Sequence, residues 1–129
     1  MKLPLLAIAA AVEAVTGLTL LAYPPIVVQL LFRAEITATG IVIGRLAGIA
    51  LIALGIACWP GRGASRALCG LLTYNALATA YLAYLGLHGG GAGPLLWPAV
   101  ALHAILSALL ARAWFQSRKP GEPNEQTMK

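Results

Sequence analysis

Residues 3–23 read LPLLAIAAAVEAVTGLTLLAY, and they are followed by Pro24-Pro25. This is 21 consecutive residues with one charge, Glu13, near the middle. About 20 predominantly apolar residues are what one helix needs to cross a bilayer, and two adjacent prolines cannot continue its hydrogen-bond ladder. The stretch therefore reads as a membrane-spanning helix with a defined end. The Met1-Lys2 start imitates a signal peptide, but the run is long, carries Glu13, and lacks a small-x-small site before Pro24. A retained first helix is expected.

The same pattern recurs outward from it. Apolar runs fill about Thr37 to Trp59, ending at Pro60-Gly61, then about Ala67 to Leu87, and about Leu95 to Phe115. The turn before the last run, His88-Gly89-Gly90-Gly91-Ala92-Gly93-Pro94, is rich in chain-breaking residues. Ile26 to Phe32 is apolar but only seven residues long, so it is placed in the interface as a short helix or re-entrant turn. Of 129 residues, 60% are hydrophobic and 10% charged, against roughly 25% charged in soluble domains. The expected fold is an all-α membrane protein: a four-transmembrane-helix bundle over residues 1–115, with a short interfacial segment between helices 1 and 2. Gln116 to Lys129 is polar, with two prolines, and is expected to be a disordered cytoplasmic tail.

The net charge of +5 does not point to nucleic acid, because the basic residues sit at the ends of apolar runs and not on one soluble face. It reports orientation. Lys2, Arg62, Arg66, Arg112, Arg118, Lys119 and Lys129 fall on one side and Arg33 on the other, and cytoplasmic loops are the ones enriched in Lys and Arg. A multi-pass protein of the inner membrane with both termini cytoplasmic follows. Trp59 and Trp114 would then mark the inner interface, and Tyr23 and Trp97 the outer one. Cys58 and Cys69 are too few and too far apart for a zinc motif or disulfide scaffold.

Five of the polar residues within the apolar helices stand out by their depth. At about 1.5 Å per residue, Glu13 lies roughly 13 Å below the outer end of helix 1, while Arg45, Thr79 and His103 lie roughly 12 Å below the outer ends of helices 2, 3 and 4. Asn75 lies one turn deeper than Thr79. A charged group at such depth costs about 2.5 to 3.5 kcal/mol on the insertion scale, so it needs a partner or a role. The neighbours at helical spacing are small or polar: Ala9, Ala10, Thr16 and Gly17 around Glu13, and Ala99 and Ser107 around His103. Two readings stand side by side. In one, Glu13 and Arg45 form a buried ion pair and Asn75 and His103 satisfy the remaining donors and acceptors. In the other, the cluster binds a ligand or relays protons. Gly40, Gly44 and Gly48 form a four-residue repeat expected to serve helix packing. Tyr74, Tyr81 and Tyr84 are read as lipid-facing or packing residues, with cavity lining as the alternative.

No catalytic motif, phosphate-cradling loop or metal-ligand spacing is present in the sequence, and neither a catalytic residue nor a metal is assigned. Two resemblances add expectations. Ala10-Ala11-Val12-Glu13-Ala14-Val15 resembles the first helix of the small multidrug resistance transporters. That likeness implies a proton-coupled or small-molecule transporter using Glu13. Gly44-Arg45-Leu46-Ala47-Gly48-Ile49-Ala50, with Leu54-Gly55-Ile56, resembles the DoxX-like four-helix membrane proteins. That likeness implies an accessory or scaffold subunit of a membrane assembly, with a protein partner or a homo-oligomer, no catalysis of its own and no fixed cofactor; a bound lipid or quinone is compatible with it.

Overall fold

A computed structural model describes residues 2–61, 63–89 and 91–118. Its elements in chain order are α1 (Lys2–Ala22), α2 (Pro24–Phe32), α3 (Ala38–Ala57), α4 (Ala64–His88) and α5 (Leu96–Arg118). Four of them are long and apolar enough to cross a membrane, and the protein is an all-α four-helix bundle. Large apolar side chains such as Ile8, Val15, Val42, Leu46, Leu77 and Ile105 are exposed on its outside. That is the pattern a lipid solvent permits, because tails are as apolar as the side chains.

α2 is the short interfacial segment, resolved as a helix and not a re-entrant turn. Pro24 and Pro25 occupy its first turn, where a missing N–H costs nothing. It stops at Arg33, whose backbone is left-handed (φ 51°) and donates to the Gln29 carbonyl. The α4–α5 connection then pins it: Gly93 N–H donates to Leu31 O at 2.7 Å and Leu95 N–H to Leu30 O at 3.0 Å. A Cβ at Gly93 would collide with the Leu30 carbonyl oxygen, so this contact requires glycine.

Two helix boundaries move from expectation. α4 begins at Ala64, which puts Arg66 in its first turn and not in a loop. α5 continues to Arg118, so Gln116 and Ser117 are helical and the expected tail loses its first residues to the helix. Arg62, Gly90 and residues 119–129, the remainder of that tail, lie outside the described residues.

The bundle is two antiparallel hairpins. α1 and α3 touch backbone to backbone: a Cβ on Gly17 would come within 2.6 Å of Gly48 O, one on Gly48 within 2.6 Å of Gly17 O, and one on Gly55 within 2.7 Å of Ala10 O. Small residues permit such approach, and dispersion between the close backbones holds membrane helices together. α4 and α5 form the second hairpin, with Asn75 facing His103 and Gly86 against Trp97. Leu6, Ala9, Cys58, Leu68, Leu71, Leu106 and Leu110 fill the space between hairpins toward the end where α1 begins and α5 stops. Toward the α2 end the hairpins part and leave a cleft.

Candidate functional site

The cleft has a volume of about 790 Å³ and is lined mainly by Val12, Val15, Thr16 and Leu20 of α1, by Ile26, Leu30 and Leu31 of α2, and by the facing residues of α4 and α5. α2 closes its mouth at the interface. Its side is open, because the lining residues Val15, Leu77 and Tyr81 are each more than 60% exposed at the protein surface. A lipophilic molecule therefore has access from the bilayer itself. The walls are apolar, and Thr16 donates its hydroxyl to Val12 O on its own helix at 2.9 Å, as Thr19 does to Val15 O.

Polar groups gather at the floor, where the cleft meets the packed core. Glu13 is fully buried, Asn75 is fully buried and His103 is 9% exposed. Asn75 donates from Nδ2 to Leu71 O at 2.9 Å, which turns its Oδ1 toward α5 to accept from His103 Nδ1 at 2.8 Å. Those two bonds fix the tautomer of the neutral ring: the hydrogen is on Nδ1 and the lone pair on Nε2. Tyr74 meets the same imidazole edge to face, with ring centroids 6.0 Å apart. His103 and Tyr74 line the cleft.

Glu13 sits one layer behind them. Asn75 and Tyr74 flank its carboxyl, and His103 Nδ1 is 4.0 Å from Oε1. Among the described residues neither carboxyl oxygen has a partner in hydrogen-bond geometry, although both are enclosed. Buried polar side-chain atoms in folded proteins nearly always have one. At 4.0 Å the imidazole is not a hydrogen-bond partner of Glu13, and its Nδ1 hydrogen is given to Asn75.

The expected ion pair is absent. Arg45 is exposed on α3, and among the described residues no ion pair joins it to Glu13. The reason is the rotation of α3. Gly44, Gly48 and Gly55 face α1 or α2, and at 3.6 residues per turn Arg45 stands about a quarter turn from that face. Depth differs as well: Gly44 abuts Pro24, so Arg45 is level with the α1–α2 junction and not with Glu13. Thr79 lies one turn from Asn75 and donates its hydroxyl to Asn75 O on its own helix at 2.8 Å. Of the five polar residues, the fold brings together Glu13, Asn75 and His103. Of the glycines, Gly44 abuts Pro24 and Gly48 abuts α1, whereas Gly40 meets only the side chains of Ile36 and Thr37. Tyr74 and Tyr81 line the cleft, while Tyr84 stacks on His88 with centroids 4.6 Å apart. Tyr74 was legible only as one of three tyrosines at helical spacing, with nothing in the sequence to set it apart.

No family model, curated protein or solved structure matches this chain. The geometry alone carries the functional reading.

Proposed function

We propose that this small integral membrane protein binds a lipophilic small molecule in the cleft between its two helix hairpins, as a small-molecule or proton-coupled transporter does, with Glu13 as its protonatable group. The observation that carries the reading is the unpartnered Glu13 carboxyl, enclosed beneath an apolar cleft of ligand size. Binding pockets for small molecules have volumes of about 300 to 1,000 Å³, with apolar walls and a few convergent polar groups. A molecule in the cleft meets His103 and Tyr74, and Glu13 lies behind His103, with its Oε1 4.0 Å from Nδ1. The protein lies in the inner membrane with both termini cytoplasmic, a placement supported by the distribution of Lys and Arg.

Native mass spectrometry from nanodiscs tests this directly. The wild-type protein should carry a small molecule that is lost from Ala78→Trp, which fills the cleft from α4. Equal occupancy in a folded Ala78→Trp variant would refute ligand binding in the cleft. A second reading, an accessory or scaffold subunit of a membrane assembly, is favoured by one separate observation: the outward-facing Arg45.

A further inference from the structure

Hydrogen-bond donors are scarce in the cleft. The Thr16 and Thr19 hydroxyls in its wall give their hydrogens to Val12 O and Val15 O of their own helix, each at 2.9 Å. At the floor, His103 gives its Nδ1 hydrogen to Asn75 Oδ1 at 2.8 Å. A neutral imidazole carries one such hydrogen, so Nε2 is left as an acceptor only. Nε2 lies across the ring from Nδ1 and makes no hydrogen bond among the described residues. Among those residues the enclosed side-chain nitrogens and oxygens without a partner are the two Glu13 oxygens. Nε2 is therefore not shut inside the core; it opens on the cleft that His103 lines.

Two tyrosines complete the polar lining. The Tyr74 hydroxyl flanks the Glu13 carboxyl. Hydroxyl hydrogens rotate toward the best acceptor in reach, and here that is the carboxyl. Tyr81 stands about two turns farther toward the α2 end, at the open side of the cleft, where it is 64% exposed. The floor thus presents an acceptor, the Nε2 lone pair, and no donor left to give.

We infer that the cleft takes an uncharged lipophile headed by a hydroxyl, an alcohol or a phenol, whose O–H donates to His103 Nε2 while its apolar body lies along the walls toward α2. The inference rests on the reading of the cleft as a ligand site and adds the class of ligand. The lining holds no Asp, Glu, Lys or Arg, and an ion in an apolar site needs a paired charge. A ketone, ester or ether set against Nε2 would oppose lone pair to lone pair and leave both without a hydrogen. His103 is seven residues past Leu96, the first of α5, so the floor lies about 10 Å from the α2 end. That is the length of an extended octyl chain. The lateral opening beside Val15 and Leu77 admits such a molecule from the bilayer.

The probes are para-octylphenol and its methyl ether, para-octylanisole, which share an apolar body and differ in the donor. Retention of each is measured on the full chain in phosphatidylcholine nanodiscs against empty nanodiscs, at equal concentration in the bilayer. The phenol should bind about tenfold more tightly than the ether, and the protein-dependent share of both should be lost in Ala78→Trp. In His103→Phe, which keeps a ring and removes the acceptor, phenol affinity should fall to that of the ether. Nitrogen NMR of His88→Gln, which leaves His103 as the one histidine, serves if the phenylalanine variant folds poorly. Its unprotonated nitrogen should be Nε2, and that resonance should move on addition of the phenol and not of the ether. A hydrogen found on Nε2 would overturn the inference. Equal affinity for the two probes, each sensitive to Ala78→Trp, would overturn the ligand class and leave the cleft a ligand site. Binding that Ala78→Trp does not change would overturn site and class together. No protein-dependent retention of either probe would also overturn the class, while a molecule carried by wild type and lost from Ala78→Trp would still uphold the site.

Discussion

His103 Nδ1 donates to Asn75 Oδ1 across 2.8 Å, and this bond ties α4 to α5 at the level where the packed core gives way to the cleft. Interhelical hydrogen bonds in membranes contribute about 0.6 kcal/mol on average and up to about 1.7 kcal/mol. A double-mutant cycle of Asn75→Leu and His103→Leu, measured by reversible unfolding in bicelles, should give a coupling within that range. Additive losses would mean that the two side chains do not meet in the membrane.

Glycine is required at some positions of α3 and not at others. A Cβ at Gly48 would lie 2.6 Å from the Gly17 carbonyl oxygen and 2.7 Å from Leu21 N, both backbone atoms that move only if α1 and α3 separate. Gly48→Ala should therefore destabilise the protein by about 1 to 3 kcal/mol, the usual cost of overpacking. At Gly40 the nearest obstacle is the Ile36 side chain, at 2.7 Å, which can rotate away. Gly40→Ala should be neutral or should stabilise by up to about 1 kcal/mol through helix propensity. Equal melting temperatures for the two variants would contradict the α1–α3 contact.

The contrast between these glycines shows what was legible in the sequence. Helix number and the proline stop after Tyr23 follow from hydropathy and from chain-breaking residues, both local properties. Direction is not local. Gly40 and Gly48 belong to one repeat, but which of them faces α1 depends on the rotation of α3 about its axis, and the slide of α3 along α1 puts Arg45 at the α1–α2 junction and not at the level of Glu13. That rotation is set by where two backbones approach most closely, at Gly17 and Gly48. The cleft was hidden for a related reason: it exists because the two hairpins part toward α2, a relation between pairs of helices that no single helix records.

Sidedness has its own test. The Gly89–Gly93 connection lies at the α2 end and Ser117 at the opposite end of the bundle. Reporter fusions at Lys129 and within residues 89–93 should score as cytoplasmic and periplasmic respectively, as the charge distribution requires. A periplasmic C-terminus would invert the bundle and place the cleft mouth on the cytoplasmic face.

Glu13 and Arg45 should act independently, because Arg45 stands at the level of the α1–α2 junction and Glu13 well below it. Removing one member of a buried ion pair is commonly destabilising by about 3 to 5 kcal/mol, because the other charge is stranded. Among the described residues no such pair exists and the Glu13 oxygens have no partner in hydrogen-bond geometry, while Arg45 is exposed on α3. Glu13→Leu removes an unsatisfied polar group, and leaving such a group buried costs about 1 to 3 kcal/mol, so this variant should be as stable as wild type or more so. Arg45→Leu should leave the unfolding free energy of the isolated protein nearly unchanged. The double variant should equal the sum of the two within about 0.3 to 0.5 kcal/mol, the scatter expected of sites that share no partner. A coupling well above that, with each single change strongly destabilising, would restore the ion pair and rotate α3. Function should separate from stability at Glu13 alone: Glu13→Gln keeps the size and polarity of the side chain but cannot exchange a proton. It should stay folded in nanodiscs while proton-coupled transport of the cleft's ligand in vesicles is lost. Unimpaired coupling in that variant would remove Glu13 from the mechanism and leave His103 as the group to test next.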